Sequence, residues 1–165
     1  TRRYVLGGHE IVMDLGLTTT FKDPPWQRLA DLGGMTSIRG FDRRTRVGET
    51  SVRSRLEYFV PYDLFRAARV PFLKDRRIQF VPWADAGRVG GDPGWGAGPA
   101  TAAGESGRVV STRWLTSAGL GLQYYLGPFP GASHLRLDLA FPMGPDRPDD
   151  VRVYLRLVDV LLFAD

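Results

Sequence analysis

An all-β fold, an antiparallel β-barrel of the transmembrane kind, is predicted by three features of this sequence. Six segments of strand length alternate apolar residues with polar or small ones. The apolar face carries almost nothing ionic over five of these strands, whereas the opposite face combines glycines with charges of both signs. The connections also alternate in length, as in outer-membrane barrels, which have short turns at one end and longer loops at the other. A strand that crosses a bilayer needs about 9–11 residues, apolar toward lipid and polar or small toward the lumen, so a period of two is the signal.

The opening TRRYVLGG reads as the end of a strand and its turn. In EIVMDLGLTTTF (10–21), Ile11, Met13, Leu15, Leu17 and Phe21 share one face, and Asp14, Gly16, Thr18 and Thr20 the other. TSVRSRLEYFV (50–60) sets Val52, Leu56, Tyr58 and Val60 against Ser51, Arg53, Arg55 and Glu57. RRIQFVPWADAG (76–87) sets Ile78, Phe80, Pro82, Ala84 and Ala86 against Arg77, Gln79, Val81, Trp83 and Asp85. RWLTSAGLGLQYY (113–125) sets Trp114, Ala118, Leu120, Leu122 and Tyr124 against Ser117, Gly119, Gly121 and Gln123. SHLRLDLAF (133–141) alternates most cleanly, with Leu135, Leu137, Leu139 and Phe141 opposing His134, Arg136, Asp138 and Ala140. VRVYLRLVDVLLF (151–163) begins with Arg152, Tyr154 and Arg156 opposite Val153, Leu155 and Leu157, then slips at Val158-Asp159, where a bulge would turn Asp159 inward. The connections are 22–49, 61–75, 88–112, GPFPGA (127–132) and 142–150; strand direction places the first, third and last at the end expected to lie outside. A sheet with one face in water alternates in the same way, so a soluble β-sandwich binding module stays open on pattern alone.

The bulk composition narrows the function classes. A chain of 165 residues has the size of one domain, and 20 glycines with 12 prolines favour short strands and turns over long helices. Cysteine is absent, which removes disulfides, thiolate zinc sites and a cysteine nucleophile. The net charge of +4 invites a nucleic-acid reading, but the cations are scattered, so no nucleic-acid partner is expected. No run of about 18 apolar residues provides a transmembrane helix. His9 and His134 have no carboxylate at metal-ligand spacing, no Gly-x-Ser-x-Gly nucleophile motif occurs, and the glycines of 92–107 lack the lysine of a phosphate loop. Neither an enzyme activity nor a metal or other cofactor is expected. Asp63, Asp75, Asp149 and Asp150 read as solvated turn charges, and Trp26, Trp95, Trp114, Tyr58, Tyr124 and Tyr125 as candidates for an interfacial aromatic belt.

Three local signatures fall on this framework: LGG…SIRGF (32–41) in the first long connection, WADAG (83–87) closing the third strand, and GLGLQYYLGPFPGASHLRLDLAFPMG (119–144) as a strand pair. Together they resemble the C-terminal barrel region of the bacterial surface antigen superfamily. That superfamily includes the Bam-type outer-membrane assembly proteins, their organellar relatives and the two-partner-secretion translocators. The resemblance runs from about Glu10 to Phe163. Ile38, Arg39, Gly40 and Phe41 match the family's loop motif, in which the arginine reaches an acidic residue of an aromatic-x-Asp-x-Gly motif; here Trp83, Asp85 and Gly87 fit it. LEYFVP (56–61) supplies the inward glutamate, Glu57, that the family often carries on the strand after the loop. The alternation independently puts Glu57, Asp85 and Asp138 on the polar face. An arginine presents five donors in a planar fork and stays charged at ordinary pH, so it suits a bidentate carboxylate better than lysine does.

By resemblance, residues 22–49 form a loop inserted in the lumen, with Arg39 anchored by Asp85. Six strands cannot close a membrane barrel, and an open sheet would leave two unpaired edges in lipid. The chain is therefore expected to be the C-terminal part of one barrel domain, sixteen-stranded by resemblance, in the outer membrane of a bacterial cell. Its expected partners are membrane lipid, the remaining N-terminal strands, periplasmic modules, and unfolded outer-membrane or secreted polypeptides that it helps to insert or translocate. A barrel that only anchors an upstream patatin-like lipase is the alternative. The C-terminus departs from the family: Phe163 is followed by Ala164 and Asp165, and Val158 stands where the terminal assembly signal usually has glycine.

Overall fold

The two-residue period becomes one long sheet in the computed structural model. It describes residues 1–20, 29–61, 63–73, 76, 78–90, 113–129, 132–145 and 147–158, with the backbone alone at 6, 127–129, 132, 133 and 158. Seven strands form the sheet in chain order: β1 (Arg2–Leu6), β2 (His9–Thr19), β5 (Thr50–Phe59), β6 (Ile78–Gly90), β7 (Leu115–Phe129), β8 (Ala132–Met143) and β9 (Arg152–Val158). Every neighbouring pair is antiparallel, so the sheet is a meander. Gly7 and Gly8, both with positive φ, close the β1–β2 hairpin in the two-residue turn that matches strand twist. Between β2 and β5 the chain leaves the sheet and forms its own ribbon, β3 (Ala30–Leu32) paired with β4 (Arg46–Gly48).

Register carries the alternation across the whole sheet. Met13, Leu56, Ala84, Ala118 and Phe141 lie side by side on one face, whereas Asp14, Arg55, Asp85 and Ser117 follow one another on the other. These two faces have the inverse of a water-soluble distribution. The apolar face is open: Leu15, Leu17, Val153, Leu155 and Leu157 retain 62–71% of their accessible surface. The ionic face is closed, with Asp85, Arg136 and Asp138 at 2% or less. What closes it is the excursion between β2 and β5, whose residues 29 to 48 lie mostly buried against it. Isolated apolar residues at a surface need no explanation, but a whole apolar face opposite a buried ionic one does.

The structure adjusts several boundaries. The main sheet has seven strands among the described residues, since the opening TRRYVLGG is a strand and its turn, as expected, with Arg2–Leu6 paired to β2. GPFPGA is not a separate connection: β7 runs to Phe129 and β8 resumes at Ala132, with a register shift after Tyr125. Ladder pairing is made by the backbone, and it continues through a segment whose side-chain pattern no longer signals a strand. The connection from 22 to 49 is not wholly irregular, since it contains the β3–β4 ribbon. Asp63 is not merely a solvated turn charge; its carboxylate accepts from the N–H groups of Phe65 and Arg66 and caps the short helix α1 (Leu64–Ala67) between β5 and β6. Phe21, Trp26, Asp75, Arg77, Trp95, the Val158-Asp159 slip, Phe163 and most of 88–112 lie outside the described residues. Among the described residues, no helix is long and apolar enough to cross a membrane.

Candidate functional site

The loop reaches the wall by two kinds of contact. Leu32, Ile38 and Phe41 from the loop form a buried apolar cluster with Val89 of β6 and Leu115 of β7. Gly87 keeps that approach open, because a Cβ there would come within 2.9 Å of Leu32 and 3.0 Å of Ile38. Gly40 has φ of +90°, a conformation that L side chains rarely adopt, and it lies against Pro142. Its N–H donates to the hydroxyl of Tyr154 on β9 at 3.0 Å. At the rim, Arg152 of β9 pairs with Asp42 at 2.7 Å, and this hydrogen bond holds the Asp42 carboxyl below its usual range.

Arg39 lies between these contacts and is fully buried. Its Nε and Nη2 donate to the two oxygens of Asp85 at 2.8 and 2.9 Å, and its own backbone N–H adds a third bond to the same carboxylate at 3.1 Å. Its Nη1 donates to Glu57 at 2.9 Å. The guanidinium carbon stands 3.5 Å from the centre of the Trp83 ring, a stacked cation–π contact. Trp83 lies flat because Gly119, its register partner on β7, has no side chain to lift it.

The network extends well past this pair. Arg136 on β8 donates Nη1 and Nη2 to the two oxygens of Glu57, each at 2.9 Å, although β6 and β7 lie between their strands. Gly119 and Gly121 leave β7 bare beneath that bridge. The Nε of Arg136 donates to Asp138 at 2.8 Å, and Arg156 on β9 reaches Asp138 at 3.0 Å. Arg55 on β5 shares Asp85 with Arg39 at 3.1 Å and donates Nη2 to the carbonyl of Ser37, which stitches the loop backbone to the wall. Four guanidiniums, of Arg39, Arg55, Arg136 and Arg156, thus surround the three carboxylates of Glu57, Asp85 and Asp138.

A pair of unit charges at 4 Å attracts by about 4 kcal/mol at an effective dielectric of 20, and desolvation offsets most of that. Burial alone would lower the pKa of Arg39, but Asp85, Glu57 and Asp138 more than compensate and raise it. The arrangement is therefore a fixed electrostatic lock.

Each residue singled out from the sequence can now be placed. Ile38 and Phe41 are in the apolar cluster, Arg39 is at the centre of the lock, and Gly40 carries the turn. Asp85, Glu57 and Trp83 contact Arg39 directly, Gly87 gives clearance, and Asp138 approaches it at 3.7 Å while binding Arg136 and Arg156. Arg55, Arg136, Arg156 and Tyr154 were not expected as partners. The alternation put them on the polar face, but only strand register shows which of the face's residues meet. Tyr154→Phe is expected to leave the Gly40 N–H without its acceptor and to cost about 1–3 kcal/mol. Faster hydrogen exchange at the Gly40 amide, with the strand amides of β9 unchanged, is the readout; an unchanged Gly40 rate would remove Tyr154 from the lock. No protein-family model matches the chain, and no curated protein matches it.

Proposed function

We propose that this chain is part of an outer-membrane β-barrel that inserts other barrel proteins or moves polypeptides across that membrane, with the Arg39 loop locked in its lumen. The observation that carries the reading is the inverted sheet: an open apolar face on one side, and on the other a buried ionic wall onto which a loop arginine is fastened. Lipid satisfies the first face and a polar lumen the second. β1 and β9 each pair on one side only among the described residues, and under this reading further strands continue the cylinder beyond them. Lateral opening of such a cylinder would expose a strand edge, on which an incoming strand pairs through its backbone. The lock supports the wall during that opening.

Leu155→Arg tests the membrane part. Leu155 is 67% exposed on the apolar face, so in water the change is nearly neutral, whereas at a bilayer midplane it costs about 2–4 kcal/mol. The expected result is recovery of the protein in the detergent-requiring outer-membrane fraction, with folded yield in bilayers sharply reduced for the variant. A protein that stays soluble without detergent and tolerates Leu155→Arg would instead be a soluble sheet module. The assembly part is tested by insertion of a reporter barrel into vesicles that carry the full protein. Arg39→Ala is expected to slow that insertion, and an unchanged rate would leave the barrel as an anchor only.

A further inference from the structure

The connection between β5 and β6 does not fold over the ionic face. It lies on the apolar one. Leu64, Phe65 and Val70 of this segment face Phe80 of β6, Leu120 of β7 and Leu137 of β8 across a groove of about 400 Å³, a size typical of sites for small ligands. Among the described residues, no charged side chain lines it. The register places Phe80, Leu120 and Leu137 on the face that the membrane reading gives to lipid, so the groove opens within that surface rather than toward the lumen.

The same segment is cationic at its outer surface. Arg66 and Arg69 are exposed, as is Arg76, and none of the three forms an ion pair among the described residues. This separates them from Arg39, Arg55, Arg136 and Arg156, all of which are held by carboxylates. Arg69 and Phe72 both have positive φ, and Phe72 is 89% exposed. A non-glycine aromatic in that conformation, with its side chain exposed beside guanidiniums that have no ion-pair partner among the described residues, suits an interfacial anchor. An apolar slot bordered by a cationic rim is complementary to one molecule that a bilayer supplies: an acyl chain with an anionic head. A single buried chain binds marginally, and added basic residues make such binding durable.

We infer that the groove between the α1 segment and β6–β8 holds an acyl chain of an anionic phospholipid, whose headgroup phosphate is held by Arg66 and Arg69. The inference rests on the membrane reading above. The site is a fixed lipid position on the barrel wall, at the end of the sheet opposite the Arg39 loop.

The test places the full protein in vesicles doped with phosphatidylglycerol or phosphatidylcholine that carries a photoactivatable diazirine on one acyl chain, and maps the labelled peptides. Leu15 and Leu17 on β2, with Val153 and Leu155 on β9, report ordinary lipid contact. The expected result is several-fold greater phosphatidylglycerol labelling of residues 64–70 than of those controls, with no such excess for phosphatidylcholine. Ala68→Trp, which fills the groove from its exposed side, should abolish the excess and leave the controls unchanged. Arg66→Glu with Arg69→Glu should remove the preference for the anionic lipid. Labelled controls with no excess in the groove, or equal excess for both lipids, would overturn the inference and leave the membrane reading standing. Unlabelled controls would overturn both.

Discussion

Asp85→Ala is expected to detach residues 29 to 48 from the wall and to cost about 3–5 kcal/mol, the scale for removing one partner of a buried ion pair. Asp85 accepts four hydrogen bonds, three from Arg39 and one from Arg55, so its loss takes a carboxylate partner from two cations at once and leaves Arg39 with Glu57 and Asp138. Hydrogen exchange of the loop amides checks this. At 1.4 kcal/mol per factor of ten, exchange should rise by roughly two to three and a half orders of magnitude across the loop, while β7 and β8 stay protected. Asp85→Asn keeps the shape and loses the charge, so an intermediate effect is expected. If Asp85→Ala left loop exchange at its original rate, the apolar cluster of Leu32, Ile38 and Phe41 would be sufficient by itself, and the ionic lock would be incidental.

The second large effect is expected at Gly119. A Cβ there would meet the Leu139 carbonyl at 2.1 Å and the Trp83 ring at 2.2 Å, so neither the ladder nor the stacked ring can stay where it is. Gly119→Ala should therefore destabilise the folded sheet by about 1–3 kcal/mol, the usual cost of forcing atoms into a packed interior, and should lift Trp83 off Arg39. Gly16→Ala is the control, because the atoms it would meet belong to the flexible side chain of Arg53, which can swing away. Thermal unfolding of the two variants in detergent gives the comparison. Equal midpoints would mean that the wall at β7 yields easily and that its bare strip is not needed for the lock.

The sheet was legible in the sequence because a period of two survives translation into an antiparallel meander with few defects. Leu135, Leu137 and Leu139 take the face assigned to them, as do Arg136 and Asp138. The pairing of Arg39 with Asp85 was legible through the resemblance carried by IRGF and WADAG, and the alternation put Asp85 on the polar face. The bridge from Arg136 to Glu57 was not, since nothing local says that a residue of β8 will reach β5 over two intervening strands. It depends on the absence of side chains at Gly119 and Gly121, and a glycine in a strand usually signals only a bulge or a weak point. The β3–β4 ribbon was also hidden, because three-residue strands are too short to show a period.

The origin of the carboxylates has a consequence for the order in which the molecule forms. Arg39 needs Glu57 from β5 and Asp85 from β6, 18 and 46 residues away, and its neighbour Gly40 needs Tyr154 from β9, 114 residues away. Contacts of such long range are late to form, since each demands that the intervening chain be arranged first. Seating of the loop is thus a late kinetic event, and a half-built wall with β8 or β9 missing would hold it only loosely. A protease pulse during refolding would read the loop as a clock hand, resistant only once the last strand has been laid down.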